Sequence, residues 1–405
     1  MNISVQFLEG GPASASTPPA QARKILRAAF DRLPVGDVLL GWNLPPALVE
    51  ACAEECGRAR ADLYLWHPLL AGDGVFTPRL EWRTVSVDGN PIGDAAGRDE
   101  FTFVCPNRTA AREAVMRRLE HVLAGGFFKG IFFDRIRFPS PAADITRDLA
   151  CFCDDCSRAA KSAGVDWAQV RARTSGLLET PEGKRAIIRR MLPGENPPAG
   201  SAEDAAVDEL MAFRCRSVTA IVRDAARMAR ARGWKVGLDC FSPALAPLVG
   251  QNLAELSAGC DWIKGMTYLR AFGPAAIPYE LLGLADALRA PGVPDDGETL
   301  DFLARHTGWQ VPARREEIRR GRLPSSILAA EIARGRQACK CRFLAGVELV
   351  EIPGVADLDP ELTREDWRTL AAAAPDGVVL AWDLRFISLE HLEMVGRILC
   401  GSVLP

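Results

Sequence analysis

The stretch TAAREAVMRRLEHVLAGGFFKGIFFDRIRFPSP (109–141) joins a helical segment to a short apolar run, and this unit decides the fold. Its first part places Val115 and Leu119 on one helical face and ends at Gly125, where a helix commonly stops. The run GIFFDRIRF (130–138) is too continuous to be half exposed. Such a run is typical of a strand in a parallel sheet that is covered on both faces.

Seven further apolar runs alternate with helical segments along the chain. They lie at 3–10, 37–43, 61–70, 235–242, 261–269, 343–352 and 376–384. Eight strands that alternate with helices predict a (β/α)8 TIM barrel, and an open doubly wound sheet is the rival architecture. A closing helical segment, SLEHLEMVGRIL, follows the eighth run and favours the barrel.

We expect a single barrel domain over residues 1–405 with three long insertions. The connections 71–129, 139–234 and 269–342 far exceed the usual length of about 2–6 residues. Each follows a predicted strand, so all three begin at the C-terminal face of the barrel, where active sites of this architecture lie.

The composition is typical of a globular protein with a large core. The 405 residues include 49 basic and 52 acidic side chains, for a net charge of −3, and 48% are hydrophobic. This near-neutral charge argues against electrostatic capture of nucleic acid or of an anionic membrane. We find neither an apolar run of membrane-spanning length nor a secretory signal pattern, so we expect a cytoplasmic protein. The oligomeric state is not predicted.

Four of the predicted strands end in an acidic residue. These are Asp134, Asp239, Glu348 and Asp383. Each acid alone has an ordinary explanation, because it could cap the next helix or pair with an arginine. Four acids at one barrel mouth instead repel one another, and that repulsion must be offset by a substrate, a cation or shared protons. Paired carboxylates are what glycoside hydrolysis requires.

A small residue lies two positions before three of these acids, and residues two apart share one side of a strand. Gly237 precedes Asp239, Gly346 precedes Glu348, and Ala381 precedes Asp383. A small residue beneath an acid leaves space in a crowded barrel interior, which indicates that this side faces inward. By the same parity Glu348, and not Glu351, points into the mouth.

Aromatic residues lie at the same strand ends, where they could stack on sugar rings or simply pack in the core. They are Trp42, Trp66, Tyr268 and Trp382, and His67 is the only histidine at a strand end.

We predict Asp134 and Glu348 as the catalytic pair. The predicted substrate-binding residues are Asp239, Asp383, Lys264, Tyr268, Trp42, Trp66, His67, Trp382 and Arg137. For Arg137, an ion pair with a carboxylate or a contact with the next loop is the alternative role.

A cluster of thiols, CxCxxC, lies just beyond the fourth strand at Cys151, Cys153 and Cys156. Cys105, in the extended piece EFTFVCPNR after the third strand, would supply a fourth ligand from a neighbouring loop. Four thiolates bind zinc tightly and leave no open position, which predicts a structural Zn²⁺ site. Reduced surface thiols and a redox pair are the alternatives.

Two resemblances to known families rest on these residues. The thiol set Cys105, Cys151, Cys153 and Cys156 resembles the zinc site of family 42 β-galactosidases, which are barrel enzymes. The fourth strand, with Asp134, Arg137 and the residues around them, resembles that of uncharacterised glycoside-hydrolase-like barrels. Together the resemblances imply a (β/α)8 glycosidase with a carbohydrate substrate and a structural zinc ion.

The chain also departs from these families. The galactosidases carry an Asn-Glu pair at the end of strand four as general acid, where this chain has Asp134, although Glu348 agrees with their nucleophile position. An aspartate on strand four resembles a different barrel clan, in which it is the nucleophile and the acid lies on strand six. This chain has Lys264 and Tyr268 on that strand. We therefore do not assign which carboxylate attacks.

Two other functions stay open from the sequence. Lys264 on strand six matches the strand that carries the amine of class I aldolases, which suggests a Schiff-base lyase. A non-catalytic carbohydrate-binding barrel would share the aromatic residues and would not need two acids.

Overall fold

Eight parallel strands close into a barrel in the order in which they occur along the chain. The computed structural model describes residues 1–94, 97–194, 199–289 and 296–401. The strands are β1 (Asn2–Phe7), β2 (Val35–Leu40), β3 (Asp62–Pro68), β4 (Gly130–Asp134), β5 (Lys235–Phe241), β6 (Trp262–Met266), β7 (Arg342–Glu348) and β8 (Gly377–Ala381). Since β1 pairs with β8, the predicted (β/α)8 barrel is confirmed and the open sheet is wrong.

Helices surround the barrel. They are α1 (Gly11–Ala15), α2 (Pro19–Phe30), α3 (Pro46–Ala59), α4 (Thr109–Val122), α5 (Ile145–Asp148), α6 (Asp154–Ser162), α7 (Trp167–Leu178), α8 (Pro181–Met191), α9 (Ala202–Ala231), α10 (Leu253–Leu256), α11 (Ile277–Leu288), α12 (Asp296–Thr307), α13 (Arg315–Arg319), α14 (Ser326–Ala338), α15 (Pro360–Ala373) and α16 (Leu389–Cys400). None of the described helices is both long and apolar enough to cross a membrane.

The longest helix, α9, shows how the sequence specifies these elements. Ser201 caps its first turn by accepting a hydrogen bond from the backbone N–H of Asp204. Leu210 and Ile221 belong to its buried face, which packs against α7, α8 and β5. Burial of each such side chain stabilises the fold by about 1.5–3 kcal/mol. This face anchors the long connection between β4 and β5 to the barrel.

Large side chains fill the barrel interior, and glycines make room for them. The interior cluster contains Leu39, Trp42, Tyr64, Trp66, Phe132, Trp262, Leu344 and Val379. A Cβ atom on Gly237 would lie 2.2 Å from the Trp262 ring, and one on Gly346 would lie 2.4 Å from Lys264 Cε. Both glycines therefore face inward, and so do the acids that follow them two residues later.

The connections after β3, β4 and β6 contain helices and short irregular pieces. EFTFVCPNR forms isolated antiparallel bridges at Phe103 and Val104, with Ala71 and Arg83, and does not form a full strand. The predicted insertions 71–129, 139–234 and 269–342 include residues 95–96, 195–198 and 290–295, which lie outside the described residues.

Candidate functional site

A cavity of about 260 Å³ lies at the C-terminal end of the barrel, where the strands end. Six of the predicted site residues line it: Trp66, Asp134, Arg137, Asp239, Tyr268 and Trp382. Gln6, Glu9, Glu100 and Arg135 also line it and were not predicted. The cavity therefore combines carboxyl groups, guanidinium groups and aromatic surfaces.

Asp134 ends β4 and presents its carboxylate to the cavity. Trp66 Nε1 donates a hydrogen bond to Asp134 Oδ2 at 3.0 Å, and the backbone N–H of Arg135 donates to Oδ1. The side chain keeps 13% of its surface exposed. Asp134 is thus held in one orientation by two N–H donors and still reaches the cavity.

Asp239, on the neighbouring strand β5, has a different environment. Its side chain is buried, and Oδ2 accepts a hydrogen bond from Lys264 Nζ at 3.0 Å. Oδ1 has no hydrogen-bond partner among the described residues. Burial raises the pKa of Asp239 to about 7, with Lys264 acting against this shift and Asp134 adding to it. Asp239 is therefore poised to exchange a proton near neutral pH.

Lys264 lies beneath these acids, within the barrel. Its side chain is completely buried, and Nζ also donates to Gln6 Oε1 at 2.8 Å. The ammonium group lies 5.2 Å from the Tyr268 ring. These contacts make Lys264 the charged partner of Asp239. Lys264 does not line the cavity.

Glu9 is a cavity acid that the sequence analysis missed. Leu8 has a left-handed backbone conformation (φ 56°). Its side chain therefore packs in the outer core, which is the core outside the interior cluster of the barrel, and Glu9 comes to the mouth. Glu9 keeps 40% of its side-chain surface exposed at the mouth, and its carboxyl lies 3.6 Å from the guanidinium of Arg135. Glu9 is the second-to-last residue of the first apolar run, ISVQFLEG, and this position near a strand end was the signal in the sequence.

Glu348 points inward from β7, as predicted, but it does not line the cavity. Its Oε1 accepts hydrogen bonds from the backbone N–H groups of Arg270 and Ala271, the latter at 3.1 Å. Oε2 is buried and has no partner in the described part of the chain. Burial raises the pKa of Glu348 to about 7. This geometry favours an anchor for the chain after β6 over the predicted catalytic role.

Asp383 also lies outside the cavity lining, and its oxygens are occupied. It accepts hydrogen bonds from the backbone N–H groups of Leu8 and Glu9 at 3.3 and 3.2 Å, and it pairs with Arg385 at 2.6 Å. It caps the short 3-10 helix after β8 as well. Asp383 therefore joins the ends of β1 and β8, which is the ordinary alternative for a strand-end acid, and its contact with substrate stays a prediction.

Two aromatic predictions also fall outside the cavity lining. Trp42 packs edge-on against Trp66, and its Nε1 donates to the carbonyl of Asp73 at 2.8 Å. His67 follows Trp66 directly on β3, so it points to the opposite face and packs against Phe133 in the outer core. Burial lowers the pKa of His67 well below its usual range.

Tyr268 and Trp382 provide the aromatic surface of the cavity. Their ring centroids lie 5.8 Å apart with planes at 55°. The pKa of Tyr268 is raised because it is buried and lies near the carboxyl groups of Asp239, Asp134 and Glu348. Sugar rings have apolar faces that pack on surfaces of this kind.

The four predicted cysteines come together beside the barrel. All are buried, and the four sulfur atoms lie within 4.8 Å of one another. Cys105 Sγ lies 3.6 Å from Cys153 Sγ and 3.5 Å from Cys156 Sγ. A tetrahedral ion with metal–sulfur bonds of about 2.3 Å requires sulfur separations of about 3.8 Å. The cluster therefore fits a tetrahedral metal ion.

Hydrogen-bond donors surround these thiols. The backbone N–H of Val85 donates to Cys151 Sγ, and Asn107 Nδ2 donates to Cys156 Sγ, both at 3.3 Å. Such donors orient ligands and stabilise thiolate charge in metal sites.

No family model and no curated protein sequence matches the chain. Solved structures do. The glycoside hydrolase domain of PgaB (BpsB) from Bordetella bronchiseptica matches with a TM-score of 0.53 and 14% identity over 98% of both chains. The fold is similar to that of glycoside hydrolases.

Two galactosidases support the same likeness. A β-galactosidase from the psychrophilic Marinomonas ef1 has a TM-score of 0.56 and 11% identity, and 99% of this chain covers 59% of it. Gan42B, a GH42 β-galactosidase, has a TM-score of 0.54 and 8% identity, and 94% of this chain covers 54% of it. The resemblance to glycoside-hydrolase barrels is thereby confirmed for the fold, which is all that identities this low establish.

Proposed function

We propose that this protein hydrolyses a glycosidic bond in the cavity, with Asp134 and Asp239 as its carboxylate pair. The observation that carries this proposal is that the two acids lie in the C-terminal halves of neighbouring strands, line one cavity and have contrasting environments. Such contrasts separate the roles of the two carboxyl groups in glycoside hydrolysis.

Asp239 takes the role of general acid. Its pKa of about 7 keeps a proton available near neutral pH, and its Oδ1 has no partner within the described chain. Asp134, oriented by Trp66 and by its own backbone, takes the role of nucleophile or general base. This pair replaces the predicted pair of Asp134 and Glu348, since Glu348 does not line the cavity.

We further propose zinc as the ion of the cysteine cluster. Four thiolates are the ligand set that Zn²⁺ prefers in structural sites, and they leave no coordination position for substrate. Cys105, Cys151, Cys153 and Cys156 would hold the ion, which would tie the chain after β3 to the chain after β4. Its role is structural.

The Schiff-base alternative loses support because Lys264 is completely buried and bonded to Asp239 and Gln6. A carbonyl substrate in the cavity would have to displace both partners to reach the amine.

The test is hydrolysis of a panel of nitrophenyl glycosides and oligosaccharides by the wild type, Asp134→Asn and Asp239→Asn. Each variant should lose at least about 1000-fold in kcat/KM, since each removes a group that acts in the transition state. Asp62→Asn is the matched control, because this acid starts β3 at the opposite end of the barrel and pairs there with Lys235. Thermal unfolding and metal content verify that each variant folds.

The pH dependence gives an independent check. If Asp239 must be protonated, kcat/KM should fall as the pH rises through about 7, and Asp239→Asn should lack that limb. Full turnover in both cavity variants would refute the proposal. Sugar binding with no turnover of any glycoside would favour the non-catalytic barrel.

A further inference from the structure

Arg137 lies on the wall between two cavities. It follows β4 and contributes to the large cavity and to a neighbouring cavity of about 60 Å³. Phe101 and Pro274 contribute to the same shared wall. A substrate that lies beside Asp134 and Asp239 can therefore place one of its own groups against this arginine.

The contacts of Arg137 leave most of its hydrogen-bonding capacity unused. Its side chain is 7% exposed, and its guanidinium lies over the rings of Phe103 and Phe241 at 4.4 and 4.8 Å. Nη1 donates to the carbonyl of Phe138 at 3.1 Å, which is its one hydrogen bond within the described residues. A guanidinium has five N–H donors, so several are left for a ligand.

The other buried arginines near the mouth are satisfied differently. Arg270 makes a two-bond ion pair with Asp366 and donates to backbone carbonyls. Arg135 donates to the carbonyl of Gly72 and lies 3.6 Å from Glu9. Arg137 makes no ion pair in the described chain. Burial lowers its pKa to about 10, so the side chain is still a cation at neutral pH.

We propose that Arg137 binds a carboxylate group of the substrate, so that the cavity accepts an acidic sugar of the uronic-acid class. A planar guanidinium held between two rings offers its edge, which matches the two oxygens of a carboxylate. The carboxyl groups of Glu9, Glu100, Asp134 and Asp239 surround the same space and would repel an anionic substrate that had no cation to bind. This inference rests on the proposed glycosidase function and names its substrate class.

A purely structural role is the competing explanation, because Arg137 also lies near Asp134, Asp239 and Glu280 and offsets their charge. Lysine would preserve that offset and would lack the planar fork. Arg137→Lys therefore separates the two roles, and Arg137→Gln removes both.

The experiment compares kcat/KM for matched pairs of substrates: nitrophenyl glucuronide against glucoside, and galacturonide against galactoside, in both anomers. The wild type should prefer the acidic member of at least one pair by about 10–100-fold or more, since a single charged hydrogen bond already contributes this much. The preference should collapse in Arg137→Gln and fall strongly in Arg137→Lys. Arg117→Gln, an exposed arginine on α4, serves as the control.

A binding arm keeps the two proposals distinguishable. Calorimetry with free glucuronate and galacturonate, against glucose and galactose, reports on Arg137 even if no glycoside is hydrolysed. Equal turnover of neutral and acidic substrates, or a preference that survives in Arg137→Gln, would overturn the acidic-sugar inference and leave the glycosidase standing. Arg137-dependent binding of uronates with no hydrolysis would support the inference and refute the glycosidase. Failure of every uronate to bind or react would overturn the inference.

Discussion

Replacement of Glu348 by glutamine tests the electrostatics of the barrel most directly. Glutamine has the same shape, and its Oε1 can still accept the backbone N–H groups of Arg270 and Ala271. Its amide nitrogen would take the place of Oε2, which has no partner in the described chain. Glu348→Gln therefore removes a titratable group and preserves the anchor.

The magnitude follows from the pKa. Burial raises the pKa of Glu348 from 4.5 to about 7, and each pKa unit corresponds to about 1.4 kcal/mol. Below pH 4.5 the group is neutral in both the folded and the unfolded chain. Between pH 4.5 and 7 the unfolded chain releases its proton and the folded chain retains it, so the wild type loses about 3–4 kcal/mol of stability as the pH rises. Above pH 7 the loss is complete.

The assay is thermal unfolding of both proteins at several pH values. An unfolding entropy of about 2.1 cal/mol/K per residue gives, for 405 residues, a change in Tm of about 4 °C for a loss of about 3–4 kcal/mol. The Tm of Glu348→Gln minus that of the wild type should therefore increase by about 4 °C between pH 4 and pH 8. The exposed Glu113, replaced by glutamine in the same way, should give a nearly constant difference.

Two results would refute this reasoning. A Tm difference that stays flat would mean that Glu348 titrates alike in the folded and unfolded chains. A decrease with rising pH would mean that the folded protein holds it as a stabilised anion. Turnover of the variant adds a second readout, since the catalytic pair of Asp134 and Glu348 predicted from sequence requires a loss of about 1000-fold. The anchor role requires that turnover persists.

Three further predictions concern other parts of the site. Purified protein should contain about one zinc per chain by elemental analysis. Cys153→Ser should lose this zinc, whereas Cys400→Ser, at an exposed cysteine, should retain it. Wild-type protein that is prepared without chelator and contains no metal would contradict this prediction. Asp383→Ala should lower the stability by about 1–3 kcal/mol, because it leaves buried N–H donors unpaired, and an unchanged Tm would count against the strand-joining role. Lys264→Met should move the alkaline limb of kcat/KM to higher pH, because the ammonium lowers the pKa of Asp239; a shift to lower pH would exclude Asp239 as the acid.

The barrel could be predicted because its strands are buried on both faces. The strand part of GIFFDRIRF, Gly130–Asp134, is apolar at every position but the last. Each of the eight runs overlaps one strand, and β1, β2 and β7 begin one or two residues before the predicted run. The inward direction of Asp239 and Glu348 was also readable, since Gly237 and Gly346 mark the crowded interior beneath them.

The candidate site was less accessible to sequence analysis because it depends on backbone detail beyond the strands. The left-handed residue Leu8 breaks the alternation that would otherwise place Glu9 away from the mouth. His67, in contrast, could have been excluded, because it is adjacent to Trp66 and neighbours on a strand face opposite sides. The roles of Glu348 and Asp383 as anchors depend on backbone N–H groups that are distant in sequence.

The cysteine cluster lies outside the barrel, yet it bears on the shape of the binding space. Cys105 follows Phe101 and Phe103, which border the cavity and Arg137, in the same short piece of chain. The acids Asp134 and Asp239 lie on strands, whereas this part of the cavity border lies in the loop that carries Cys105. Changes in that loop would therefore alter the border of the cavity while the strands and their acids stay as they are.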